Sequence, residues 1–144
     1  MGRVVLMLVA LCGVELAETP AAASSPEPVR LYYFWGDGCP VCVQQRSYLD
    51  WLEQRHPGIE IHAFEVWHVR EHLALLQAFS DAFEQPVRGV PVTFVGDHAW
   101  VGFSQLAAQQ MTAAVDGYVL LDEPPDAGDR VEPALLLRFV SEAP

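Results

Sequence analysis

Hydrophobic positions fall into short dense runs separated by Gly, Pro and acidic residues. Residues 29–35 are almost wholly β-branched, aromatic or Leu, which predicts a buried strand. Gly36-Asp37-Gly38 breaks it. From Pro40 the period changes: Val41, Tyr48, Leu49 and Leu52 recur at helical spacing, and Pro is tolerated at a first helical position. Pro57-Gly58 ends that helix. Residues 59–66 predict a second strand, and residues 69–83 a second helix with Leu73, Leu76, Phe79 and Phe83 on one face. After a loop at 85–89, residues 91–95 and 99–103 predict two short strands joined as a hairpin at Gly96-Asp97-His98. Ser104 is placed to cap a last helix, 105–115, closed by Gly117. The order is β-α-β-α-β-β-α, without an internal repeat.

The two ends depart from this pattern. Arg3 precedes an apolar run of 11 residues, 4–14, too short to span a bilayer, and Ala21-Ala22-Ala23 offers small residues for cleavage. The expectation is a signal peptide over residues 1–23, a Pro-rich linker over 24–28 and export to a periplasmic or other extracytoplasmic compartment. Acylation at Cys12 is disfavoured because bulky Leu11 precedes it. The globular domain is expected over 29–117. Residues 118–144 form an acidic, Pro-rich tail: a loop over 122–133, then an apolar 134–140 that is either a strand or a short helix. The tail is read as an appended structural segment.

Composition narrows the function classes. With 51% hydrophobic and 19% charged residues, the 144-residue chain can build one packed domain. Its net charge of −11 argues against nucleic acid or an anionic membrane surface as a partner. All eight basic residues are Arg, so no Lys ammonium is available to stabilise an anion. A monomer is expected.

The remaining chemistry centres on Cys39-Pro40-Val41-Cys42. If residues 1–23 are removed, these are the only cysteines left, and they can pair with each other, with a partner protein or with a metal. A Cys at a helix N-terminus meets free backbone N–H groups and the positive end of the helix dipole, which lowers its pKa. Cys39 is therefore the expected attacking thiolate and Cys42 the resolving thiol. Pro40 stiffens the turn, and Val41 adds neither charge nor hydrogen bond. Asp37 would oppose ionisation of Cys39 if their side chains lie close, so a moderately rather than extremely lowered pKa is expected.

Phe34-Trp35-Gly36-Asp37-Gly38-Cys39-Pro40-Val41-Cys42, followed by Gly89-Val90-Pro91-Val92-Thr93-Phe94 and Val101-Gly102-Phe103-Ser104, resembles the thioredoxin superfamily. The nearest likeness is to bacterial exported thioredoxin-like or glutaredoxin-like proteins with a Trp-Gly-x-Gly-Cys-Pro-x-Cys motif. The resemblance covers residues 29–117 and implies an α/β thioredoxin fold, a central mixed sheet flanked by helices. It implies a disulfide oxidoreductase without a cofactor, acting on protein thiols and disulfides and fed by a redox partner such as a membrane electron donor. It implies a cis Pro91 beside the dithiol, Val90 presenting its backbone to an extended substrate, and an apolar rim of Trp35, Pro40, Val90 and Phe103. Two departures matter. The position where thioredoxins bury an Asp beneath the second Cys is Tyr33 here, leaving Glu65 as the candidate proton acceptor. The span from Cys42 to Pro91 has no room for the helical insertion of dedicated oxidases, which favours a reductase or general exchange role.

Two other readings compete. Cys39 and Cys42 could join His68 and His72, expected on one helix face, as a zinc or copper site. Alternatively, the chain is a non-catalytic binding module with an inert disulfide. His56, His62 and His98 show no matching spacing.

Overall fold

The computed structural model describes residues 26–140. The expected signal segment, Cys12 and the first two linker residues lie outside the described residues. Nine elements follow one another: β1 (Val29–Trp35), α1 (Pro40–Arg55), β2 (Ile59–Glu65), α2 (Arg70–Ala82), β3 (Val92–Val95), β4 (His98–Val101), α3 (Gln105–Tyr118), a 3₁₀ turn (Ala127–Arg130) and α4 (Pro133–Val140).

The four strands form one mixed sheet in the order β2-β1-β3-β4. β1 pairs parallel with β2 and antiparallel with β3, which turns back into β4. Gly96 and Asp97 alone separate the paired Val95 and His98, and Gly96 supplies the positive φ that so tight a turn requires. This is the α/β class expected, with the element order and central mixed sheet that the resemblance implies.

Central β1 is covered on both faces, which is why its sequence shows so little polar alternation. Tyr32 and Phe34 face α2, packing with Phe79 and Phe94 in an aromatic cluster whose Tyr32–Phe79 and Phe79–Phe94 centroids lie 4.9 Å apart. Val29, Leu31 and Tyr33 face the other way, onto Leu49 and Leu52 of α1 and Val115 of α3. The dithiol belongs to this second core. His56 ends α1 and ties it to α3 through a 2.7 Å contact from Nε2 to Asp116.

One boundary and two buried faces differ from the sequence reading. α3 runs through Gly117 to Tyr118, because Tyr118 packs against the Gly96 turn, where its hydroxyl accepts the Asp97 N–H at 3.4 Å. α2 buries Leu75, Leu76 and Phe79 and leaves Leu73 exposed. On α1, Val41 is exposed, and the buried row is Cys42, Gln45, Leu49 and Leu52. The last apolar stretch is helical.

The tail also contributes to the core. Ala127 and Val131 are buried against Tyr32 and Phe79, with Leu135, Leu136 and Phe139 packed around them. Asp126 holds this segment to β1, accepting hydrogen bonds from Arg30 Nη1 (2.8 Å), Tyr32 Oη (2.9 Å) and the Gly128 N–H (2.8 Å). Among the described residues, no helix is long and apolar enough to cross a membrane.

Candidate functional site

The chain leaves β1 at Trp35 and enters α1 through a four-residue turn. The Cys39 N–H donates to the Gly36 carbonyl at 3.1 Å, and Gly38 takes φ +80°, a conformation that strains any residue with a Cβ. Gly36 is constrained by space instead, since a Cβ there would overlap the Trp67 ring. The two glycines around Asp37 are thus required for different reasons.

This turn places Cys39 as the N-cap of α1, with Pro40 at the first helical position, where no N–H is needed. Cys39 and Cys42 are joined by a disulfide with a Cα–Cα separation of 5.2 Å. The Cys42 N–H donates to Cys39 Sγ at 3.1 Å. An N–H donor and the positive end of a helix dipole both favour negative charge on a sulfur at this position. Both cysteines are largely buried, at 6% exposure for Cys39 and 2% for Cys42. Cys39, at the helix end, is the slightly more exposed residue of the two.

Across from Cys39 lies the start of β3. The Val90–Pro91 bond is cis, and the Val90 carbonyl oxygen lies 3.9 Å from Cys39 Sγ. A disulfide sulfur carries no hydrogen, so this is a contact rather than a hydrogen bond. The Gly102 N–H donates to the Pro91 carbonyl at 2.7 Å, which explains the Val-Gly pair before α3: Gly102 adopts φ +81° while holding Pro91. The segments 35–42, 89–94 and 101–104 therefore converge on one corner of the molecule.

Around the sulfurs, Pro40 and Val41 are exposed, and Trp35 and Val90 are half-buried against the dithiol core. The Arg46 guanidinium lies 5.0 Å over the Trp35 ring, fixing the indole. Phe103 packs against Tyr48 in a tilted arrangement, with ring centroids 5.4 Å apart. Asp37 is exposed, and its backbone N–H donates to Glu65.

Glu65 has a different role from the one expected. Its carboxylate accepts the backbone N–H groups of Asp37 (3.1 Å), Trp67 (3.0 Å) and His68 (2.8 Å). Burial opposes its ionisation, but the N–H donors at His68, Asp37 and Trp67 prevail and hold its pKa at about 2. So acidic a group takes no proton from a thiol near neutral pH. Glu65 is a brace between the Asp37 turn and the end of β2, not an acceptor for Cys42. Beneath the helix start, Tyr33 Oη donates to the Cys42 carbonyl at 2.8 Å, and burial pushes this phenol up to about 12 despite the opposing charge of Arg46.

The Cys₂His₂ alternative is not assembled. α2 begins at Arg70, so His68 lies before the helix, exposed and 3.4 Å from Glu65. His72 turns Nδ1 to the Glu65 carbonyl at 2.9 Å and packs edge-on to Phe64 and Phe139. No group of three or more potential metal-ligating residues converges among the described residues.

Three features escaped the sequence reading. Trp67, 55% exposed, joins Leu73, Val87 and Val90 in lining an open groove of about 440 Å³ that reaches the cis-proline loop. A larger cleft, about 680 Å³, lies between β2 and α4 and contains no sulfur, so size does not mark the chemistry here. Gln45 and Thr93 are both completely buried, and Gln45 Nε2 donates to Thr93 Oγ1 at 2.5 Å. The available signal was a polar residue interrupting the row Cys42, Leu49, Leu52.

No family model and no curated protein matches the chain. Among solved structures, an uncharacterized thioredoxin-like protein from Clostridium perfringens is similar at 15% identity and a TM-score of 0.47, over 64% of this chain and 71% of that one. A glutaredoxin from Archaeoglobus fulgidus is similar at 15% identity and a TM-score of 0.41, over 57% of this chain and 84% of that one. The fold stands on the element order and register described above, and the cysteine pair at the head of α1 supports a redox-type function.

Proposed function

We propose that this protein is a thiol–disulfide oxidoreductase that exchanges the Cys39–Cys42 couple with protein thiols and disulfides in an extracytoplasmic compartment. One observation carries the reading: a cysteine pair caps a helix with a backbone N–H on the outer sulfur, and the cis Val90–Pro91 segment lies against that sulfur. A disulfide held only for stability needs neither the N–H nor the facing carbonyl.

In the reductive direction, the Cys39 thiolate attacks a substrate disulfide, one substrate sulfur leaves as a thiolate, and a mixed disulfide forms. Cys42, deprotonated, then attacks Cys39 Sγ, expels the second substrate thiolate and restores the Cys39–Cys42 bond. Two electrons pass to the substrate, and a partner dithiol must resupply them. The groove beside Val90, lined also by Trp67 and Leu73, suits an extended apolar segment flanking the substrate cysteine. Export rests on the expected signal segment, and the reductase or general exchange role on the resemblance.

The test is turnover of a protein disulfide with a chemical dithiol as donor. Wild type should accelerate reduction, Cys39→Ser should abolish it, and Cys42→Ser should accumulate mixed disulfides at Cys39. Undiminished activity in Cys39→Ser, or none in wild type, refutes the reading. Its exported state is checked by the mature N-terminus of the secreted product.

A further inference from the structure

Gln45 is an anomaly in the dithiol core. It is fully buried, one helical turn after Cys42 on the same face of α1. Its amide nitrogen is engaged by Thr93 Oγ1 at 2.5 Å and Met111 Sδ at 3.8 Å. A thioether only accepts, so the nitrogen, not the oxygen, must face Met111. The amide oxygen is left without a hydrogen-bond partner among the described residues. A buried acceptor without a donor destabilises the state that contains it.

The disulfide state is the one that contains it, because Cys42 Sγ carries no hydrogen while bonded to Cys39. Helical side chains lean toward the N-terminus, so Gln45 covers the turn that begins at Cys42. Thr93, which holds the other end of the amide, pairs across the sheet with Tyr33, whose hydroxyl holds the Cys42 carbonyl. Tyr33 thus holds the Cys42 turn from β1, while Thr93 holds the Gln45 amide nitrogen from β3.

We propose that Gln45 is a redox-linked positioning residue whose amide oxygen accepts the Cys42 thiol hydrogen once the disulfide is reduced. Reduction breaks the Cys39–Cys42 bond with two electrons from an external dithiol, which itself becomes a disulfide. The proton delivered to Cys42 Sγ supplies the donor that Gln45 lacks. The reduced state gains a buried hydrogen bond that the oxidised state cannot make, so the couple becomes more oxidising and Cys42 is held protonated until exchange. This deepens the proposed function and rests on it.

Two measurements on the full chain test it. Equilibrated against dithiothreitol, the near-isosteric Gln45→Met should be about tenfold harder to reduce than wild type, or about 30 mV more reducing. In the infrared spectrum of the reduced protein, the Cys42 S–H stretch, assigned by its loss in Cys42→Ser, should lie below the free-thiol position. It should return there in Gln45→Met. An S–H band at the free-thiol position in wild type overturns the proposal, even if Gln45→Met fails to fold. So does an unchanged potential in a folded Gln45→Met, which is what a merely structural Gln45 would give. Both readouts use a small dithiol and no protein substrate. A shifted band and potential together with no protein-disulfide turnover would instead sink the oxidoreductase reading alone.

Discussion

Replacing Asp126 by Ala tests how the tail is attached, and its cost can be worked from the geometry. The substitution strands the Tyr32 hydroxyl, since Tyr32 is 1% exposed and donates to Asp126 Oδ1 at 2.9 Å. An unsatisfied buried donor costs about 1–3 kcal/mol. The hydrogen bond from the Gly128 N–H adds about 1 kcal/mol. The Arg30–Asp126 pair adds little, because Arg30 keeps 30% of its side chain exposed and retains Glu60 at 3.2 Å. The expected total is about 3 kcal/mol, a large share of a small domain's stability. In urea, with a slope of about 1–3 kcal/mol per molar, the midpoint should fall by at least about 1 M. Tyr32→Phe removes the stranded donor, so the double variant Tyr32→Phe, Asp126→Ala should be about 1–2 kcal/mol more stable than additivity predicts. The clamp lies on the sheet face opposite α1, so disulfide exchange by the folded variant should match wild type. A loss under about 1 kcal/mol with strictly additive singles refutes the account.

Other outcomes follow from the same structure. Gly128→Ala drives a Cβ into the Tyr32 hydroxyl and Leu136, and should cost about 1–3 kcal/mol in thermal or urea unfolding. Glu65 is held at about 2 against an ordinary 4.5, so its contribution is complete above pH 4.5 and is lost as pH falls toward 2. Glu65→Gln should flatten that acid limb in unfolding measured across pH, and an unchanged limb would contradict it. Tyr33 is raised to about 12 from 10.0, so the folded state holds its proton longer. Its contribution is complete below pH 10 and lost as pH rises toward 12, and Tyr33→Phe should shrink that alkaline loss.

Local rules carried much of this protein. The switch from a two-face-buried strand to a helical period at Pro40 follows from neighbouring residues alone, as does the Gly96-Asp97 hairpin. The resemblance then pointed to Pro91 beside Cys39, a pairing 52 positions apart that no periodicity could give. A boundary failed where a distant side chain overrode a local signal: Tyr118 on the Gly96 turn carried α3 past Gly117.

The sequence by itself determined the order of elements as far as α3 and put Cys39 at a helix N-terminus, because turn chemistry and hydrophobic period act over a few residues. Only the tertiary structure decided which buried polar groups meet. The Gln45–Thr93 bond spans 48 residues and the Tyr32–Asp126 bond spans 94, and each exists because the sheet brings its ends together. A buried polar side chain is satisfied only by what folding places beside it, so Gln45 reads as an ordinary helix residue until its neighbours are known.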